Sequence, residues 1–232
     1  MELERLVAQL MTKMERRIYG KYRALVIDNE DPELLGRLKL SAPVLGKDNV
    51  SGWATPCVPY GGDANQGMFF IPEPGAGVWL EFEEGDIQRP VWVGCYWSKP
   101  DGKSEVPKPN DVEGVEDGDV QTPPTRKIIK TLKGHTLQFE DKDGEEFITL
   151  IQQTDGDEKN VITLSNSGIT VTDFSGNKIE MTETGITMTD ISGNIIEMSD
   201  SAFNIVSTVA FTIDASGQEV KIKASAIDLI SG

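Results

Sequence analysis

The chain has 232 residues, 38% of them hydrophobic and 26% charged, and its 22 basic and 38 acidic side chains give a net charge of -16. A surface this acidic repels phosphate, which weighs against nucleic acid and anionic membrane as partners. With no run of about 18 apolar residues and no long apolar block in the opening MELERLVAQLMTKMERRIYG, neither a transmembrane segment nor a secretory signal is expected.

Residues 2–19 are predicted to form a helix, because Leu3, Val7, Leu10 and Met14 keep a three-four spacing with Leu6, Met11 and Ile18 beside the seam. Glu2 and Glu4 near its start and Lys13, Arg16 and Arg17 near its end complement the helix dipole. A helix this short is not secure alone, so it packs on its own domain or on a partner.

Residues 21–98 are predicted to form a small β domain. The stretches YRALVIDN and GRLKLSAP flank a turn at Asp31-Pro32, and GWATPCVPY follows. A glycine-rich loop, GGDANQG, leads to two strong strands, Val78–Phe82 and Pro90–Tyr96, joined tightly at Glu84-Gly85-Asp86. Short strands with turn chemistry between them indicate a closed barrel. Cys57 and Cys95 fall in these strands and are expected as small buried apolar side chains, since two cysteines make no metal spacing and no disulfide framework. His135 is the single histidine, which leaves no histidine-based triad or zinc cluster. Residues 99–127 are rich in Pro, Gly, Asp and Glu and are expected to be a solvated linker.

From residue 128 to 232 the chain is β-like and repetitive. GITVTDFSGNKIEMTET, from Gly168, is followed at once by GITMTDISGNIIEMSDS, identical at eleven of seventeen positions, and weaker copies extend the period over about 160–215. Ile169 and Val171 alternate with threonines, as do Ile179 and Met181 with Glu180 and Thr182. Each period therefore holds two strands with one apolar face, separated by Gly- and Asn-containing corners. Such strands cannot bury their faces or edges alone and must stack. Periodicity leaves three arrangements open: a meander of hairpins, a one-chain β-helix, or three chains wound round one axis. The chain from residue 128 has room for roughly 12 strands at about 4.8 Å each, on the order of 60 Å.

The stretch PEPGAGVWLEFEEGDIQRPVWVGCYW, with DPELLGRLKL and SGWATPCVPY before it, resembles the OB-fold domain of contractile-tail spike proteins. That family comprises phage baseplate assembly protein V, the central spikes of contractile-tailed phages, and the VgrG proteins of type VI secretion. The matching residues are Pro72 and Gly75, then Glu83, Gly85 and Asp86, then Arg89, Pro90, Val91 and Gly94. A second stretch, PPTRKIIKTLKGHTLQFEDKDGEEFITL, is similar to the entry into the family's spike, where Gly134-His135 precedes a strand. In that light His135 is a conformational element and not a ligand.

The resemblance implies an OB barrel followed by a homotrimeric, intertwined triple-stranded β-helix with no catalytic site, metal or cofactor. It implies a central spike of a contractile injection apparatus, carried in a virion or injection particle assembled in the bacterial cytoplasm, that pierces the target envelope. The hub ring is then a separate protein, because this chain has no large hub domain and no lysozyme domain. No histidine follows His135, so no His-x-His iron tip is expected. The C-terminal residues Ala226, Ile227, Asp228, Leu229, Ile230, Ser231 and Gly232 are where the resemblance puts a PAAR-type tip protein.

Two other functions meet obstacles in the sequence. A trimeric β-helical tail protein that binds or degrades glycans needs two carboxylates in a cleft. Glu180 and Glu197 instead hold equivalent repeat positions, as on a solvated face, and Glu145-Glu146 is the other acidic pair. An OB module binding oligonucleotide needs exposed aromatics among basic groups, whereas Trp53, Trp79, Trp92 and Trp97 mostly fall on strands.

Overall fold

Alternating small and large apolar side chains at Ala24 and Val26, Leu38 and Leu40, and Val78, Leu80 and Phe82 give the first part of the chain strands with one inner face. The computed structural model describes residues 4, 5, 7, 17–154 and 156–230. It divides into two units, Met1–Val106 and Pro107–Gly232. The helix expected over 2–19 falls largely outside the described residues.

The first unit is a five-stranded sheet in the order β2-β1-β4-β5-β3. Its strands are β1 (Tyr22–Asp28), β2 (Lys39–Ser41), β3 (Thr55–Pro56), β4 (Gly77–Phe82) and β5 (Pro90–Cys95). β3 runs parallel to β5, and the other neighbours are antiparallel. The sheet closes on itself where 38–41 meets 50–54: Leu38 N–H donates to Ala54 O at 3.1 Å, Ala54 N–H to Leu38 O at 2.8 Å, and Ser51 N–H to Leu40 O at 2.8 Å. Closure removes the exposed edges. Inside lie Val26, Leu38, Leu40, Val78 and Leu80, together with Trp92, whose indole N–H donates to Gly36 O at 3.2 Å. The two cysteines differ from expectation, since both are exposed and unpaired. Cys95 lies beyond a register shift in the β4–β5 ladder, next to Gly94 at φ +122°, and this turns the end of β5 away from the core.

The second unit is a nine-stranded antiparallel meander in which every strand pairs with its chain neighbours. It comprises β6 (Arg126–Lys130), β7 (Thr136–Glu140), β8 (Phe147–Gln153), β9 (Lys159–Ser165), β10 (Gly168–Thr172), β11 (Lys178–Thr182), β12 (Gly185–Thr189), β13 (Ile195–Ser199) and β14 (Phe203–Val206). This corrects the intertwined winding expected for this stretch. Both ladder edges of β7 through β13 are occupied by the chain's own strands, so no strand of another copy fits between them. Among the described residues no strand follows Val206, although apolar alternation continues at Phe211 and Ile213 and at Val220 and Ile222, all exposed.

The two edges of the meander turn differently. At one edge two-residue turns join β9 to β10, β11 to β12 and β13 to β14, as at Glu183-Thr184 between the paired residues Thr182 and Gly185, while residues 141–146 join β7 to β8. At the other edge the corner Asp173–Asn177 closes with Asp173 N–H to Asn177 O and Gly176 N–H to Asp173 O, both 3.0 Å, and Asp190–Asn194 repeats it. The glycines there take φ +93° and +83°, while the asparagines serve as acceptors: Asn160, Asn177 and Asn194 Oδ1 receive the amides of Phe174, Ile191 and Thr208. Each corner therefore holds the next.

Gly168 and Gly185 begin strands at φ +130° and +148°, where an added Cβ would lie 2.0 Å from the carbonyl oxygens of Met181 and Met198. Gly168→Ala or Gly185→Ala is expected to destabilise the second unit by more than the roughly 1–2 kcal/mol of left-handed strain alone. Gly52→Ala, which meets no atom within 4 Å, is the near-neutral control in the same urea titration.

Candidate functional site

Asp31 organises the first loop of the barrel. Its carboxylate accepts the amides of Glu33, Leu35 and Arg37 and the Arg37 guanidinium, with the shortest contact 2.6 Å. Those hydrogen bonds, from the guanidinium first, hold the carboxyl far below the usual carboxylate range against the opposing effect of burial. The same web holds Leu34 at φ +57°, an uncommon backbone for leucine, with its side chain exposed.

The residues that carry the family resemblance are turn-makers of this barrel. Pro72 O accepts Asn29 Nδ2 at 3.2 Å, and Gly75, at φ +93°, donates to Val26 O. Glu83 N–H donates to Arg89 O and Arg89 N–H to Asp86 O, with a 2.6 Å ion pair between the Glu83 and Arg89 side chains. Gly85 is buried at φ +76°, and Pro90 begins β5. In the second unit Gly134, at φ +91°, and His135 form the turn into β7, and His135 Nδ1 accepts the Gln153 amide at 3.1 Å.

The dominant feature of the second unit is its face. Register aligns Ile129, Leu137, Leu150, Ile162, Val171, Ile179, Met188, Ile196 and Ile205 across all nine strands. Two residues along each strand, on the same side, runs Lys127, Phe139, Ile148, Leu164, Ile169, Met181, Ile186, Met198 and Phe203. The result is a stripe two side chains wide and about 40 Å long, apolar at every position but Lys127. Among the described residues nothing buries it: Leu150 is 52% and Phe203 64% exposed.

The opposite face is treated differently. Over β6–β9 it is covered by residues 109–114, part of the stretch expected to be solvated. Asn110 N–H donates to Gln138 Oε1 at 2.8 Å, Gln138 Nε2 returns to Asn110 O at 2.6 Å, and Thr163 Oγ1 donates to Val112 O at 2.6 Å. Gln138 and Thr149 are fully buried beneath this strap, and Arg126 pairs with the buried Glu140 at 2.6 Å. Over β10–β13 the same face carries mostly threonine, glutamate and lysine and faces solvent.

The acidic pairs do not form a cleft. Glu180 and Glu197 lie two strands apart on the polar face, Glu180 paired with Lys178 at 2.8 Å and Glu197 accepting Asn204 Nδ2 at 3.0 Å. Glu145 pairs with Lys142, and Glu146 accepts Asn166 Nδ2. That last bond lowers the Glu146 carboxyl, the direction opposite to what a general acid needs. Of the tryptophans, Trp92 is buried and Trp53 and Trp79 are half-buried, with Lys39 4.6 Å from the Trp53 ring and Arg23 5.7 Å from the Trp79 ring. Trp97 is exposed. Residues Ala226 to Ile230 are exposed and without regular structure, and Ser231 and Gly232 lie outside the described residues. No helix among the described residues is long and apolar enough to cross a membrane.

Residues 22–97 match the family described as the type VI secretion system/phage-baseplate injector OB domain. This part of the chain is similar to that family, and the resemblance to contractile-tail spike proteins rests on it. No curated protein matches the chain.

Asp31→Asn removes a charge that the folded barrel stabilises. Because the folded carboxyl is depressed, its contribution is present above the unfolded value of about 4 and is lost as pH falls below it. The variant is expected to melt below the parent at pH 7, with the gap narrowing steadily from pH 4 downward in a thermal scan.

Proposed function

We propose that the protein is the homotrimeric central spike of a contractile injection apparatus, a mechanical part rather than an enzyme. The observation that carries this is the uncovered apolar stripe of a nine-stranded sheet, in a chain whose other unit is an injector OB domain. Three such sheets, stripe inward, make a three-sided prism. A wall only two side chains wide suits the narrow interior of that shape, and each copy covers what its neighbours expose. The threonine- and glutamate-rich face points outward over β10–β13 and keeps the shaft wet.

In this reading the injector domain holds the shaft to a separate hub ring protein, with residues 2–19 as a second anchor. Sheath contraction drives the shaft through the target envelope. Over 207–230 the alternating apolar residues that find no ladder partner in their own chain pair with the other two copies. The triple-stranded intertwining expected from the sequence is thus confined to that end. Residues 226–232 are the contact for a PAAR-type tip protein. No metal, cofactor or nucleic acid takes part.

The test is the solution mass of the full chain by sedimentation equilibrium. Three times 25.4 kDa is expected, and a stable monomer or dimer overturns the reading. Met188→Lys places a charge in the middle of the stripe and is expected to shift the trimer to monomer, since an unpaired buried charge is strongly unfavourable. Deleting 226–232 is expected to leave the trimer intact and abolish binding of a PAAR-type protein; retained binding moves the tip contact elsewhere.

A further inference from the structure

The two edges of the meander are chemically unlike. The two-residue turns carry only short polar or acidic side chains: Asn166-Ser167, Glu183-Thr184 and Asp200-Ser201. The corners on the other edge carry large apolar ones, Phe174 at 55% and Ile191 at 71% exposed. An aromatic and an isoleucine at equivalent repeat positions thus leave most of their apolar surface in solvent.

Their placement is fixed. Asn160 and Asn177 lie in register just beyond Ile162 and Ile179, on the stripe side of the sheet, and their Oδ1 atoms hold the amides of Phe174 and Ile191 at 2.8 and 3.0 Å. The Asp173 carboxylate accepts the Ser175 and Asn177 amides and the Asn177 side chain, and Asp190 does the same one period later. Ile191 packs over Gly176, where an added Cβ would stand 3.2 Å from its Cδ1. The corners therefore stack into a rigid ridge curled toward the rim of the stripe.

We infer that this ridge is the seam between copies, with Phe174 and Ile191 of one chain seated on the stripe of the next, at the row nearest its two-residue turns. The inference rests on the trimer proposed above. In a closed threefold ring each interface is heterologous, so the corner edge of one copy meets the turn edge of its neighbour. With the axis along the strand-stacking direction, equivalent strands of the three copies sit at one height. Phe174, between β10 and β11, then meets Ile169 and Met181 of the neighbouring copy, and Ile191, between β12 and β13, meets Ile186 and Met198. The polar turns of that neighbour remain outside, in water. The charge of the chain makes such a dry apolar seam the more necessary, because acidic copies repel one another wherever their surfaces stay wet.

The experiment uses the full chain with Cys57 and Cys95 replaced by serine, both being exposed and unpaired. Phe174→Cys is combined with Met181→Cys, and the protein is oxidised and run on a non-reducing denaturing gel beside a sedimentation measurement. Within one chain position 174 lies in the corner before β11 and position 181 near the far end of that strand, at least about 10 Å apart, beyond the span of a disulfide, so only an intermolecular bond forms. Conversion of the monomer band to a covalent trimer is expected, with no conversion for Phe174→Cys combined with Thr187→Cys on the polar face. A trimeric mass without the 174–181 bond, or equal bonding to position 187, overturns the seam and leaves the trimer standing. A monomeric or dimeric mass overturns both.

Discussion

A sheet with one apolar face has to cover that face, and the described residues of this chain do not do so. The repetitive part of the second unit follows from that constraint. The strands are short because the stripe is only two side chains wide. The turns are tight because the edges must stay in register over nine strands, since a slip by one residue would send every apolar side chain to the wrong side. The corners are locked by Asp173, Asn177, Asp190 and Asn194 for the same reason. The barrel differs in kind: it closes through Leu38 and Ala54 and needs nothing outside itself to bury Leu40 or Leu80.

Much of this was legible in the sequence. The period-two alternation of Ile169, Val171, Ile179 and Met181 located the strands and the apolar face, and the seventeen-residue repeat located the turns. Alternation says which way a side chain points but not which strand lies beside it. The same pattern served a meander and a threefold winding equally, and the backbone ladder decided for the meander up to Val206. Asparagine at a corner suggests an unusual backbone angle, yet Asn177 and Asn194 have none. They prove to be acceptors for an amide fourteen residues on, a role visible only once the sheet has brought the two together.

The strap over the polar face left almost no trace in composition. Residues 109–114 are proline-, glycine- and acid-rich, as solvated linkers are, and they bind the sheet through Gln138, Thr163 and Lys159, none of which advertises burial. Cys57 and Cys95 misled in the opposite direction, since strand sequence suggested burial and the local geometry left both outside. The turn residues of the barrel, from Pro72 to Gly94, were the most readable of all. Gly75, Gly85 and Gly94 take positive φ there, and the injector OB-domain model matches over 22–97, the stretch that holds the set.

The ladder of the meander also has a direction. Its hydrogen bonds lie along the line on which the strands stack, the long axis of the sheet. A force pushing along that line shortens bonds that are already at contact distance and is met by the hard repulsion of every rung at once. A force pulling along it loads the rungs in series, and they open one at a time. The same sheet is thus stiff under thrust and weak under traction, a one-way material that keeps its form while it is pushed and gives rung by rung when it is pulled back.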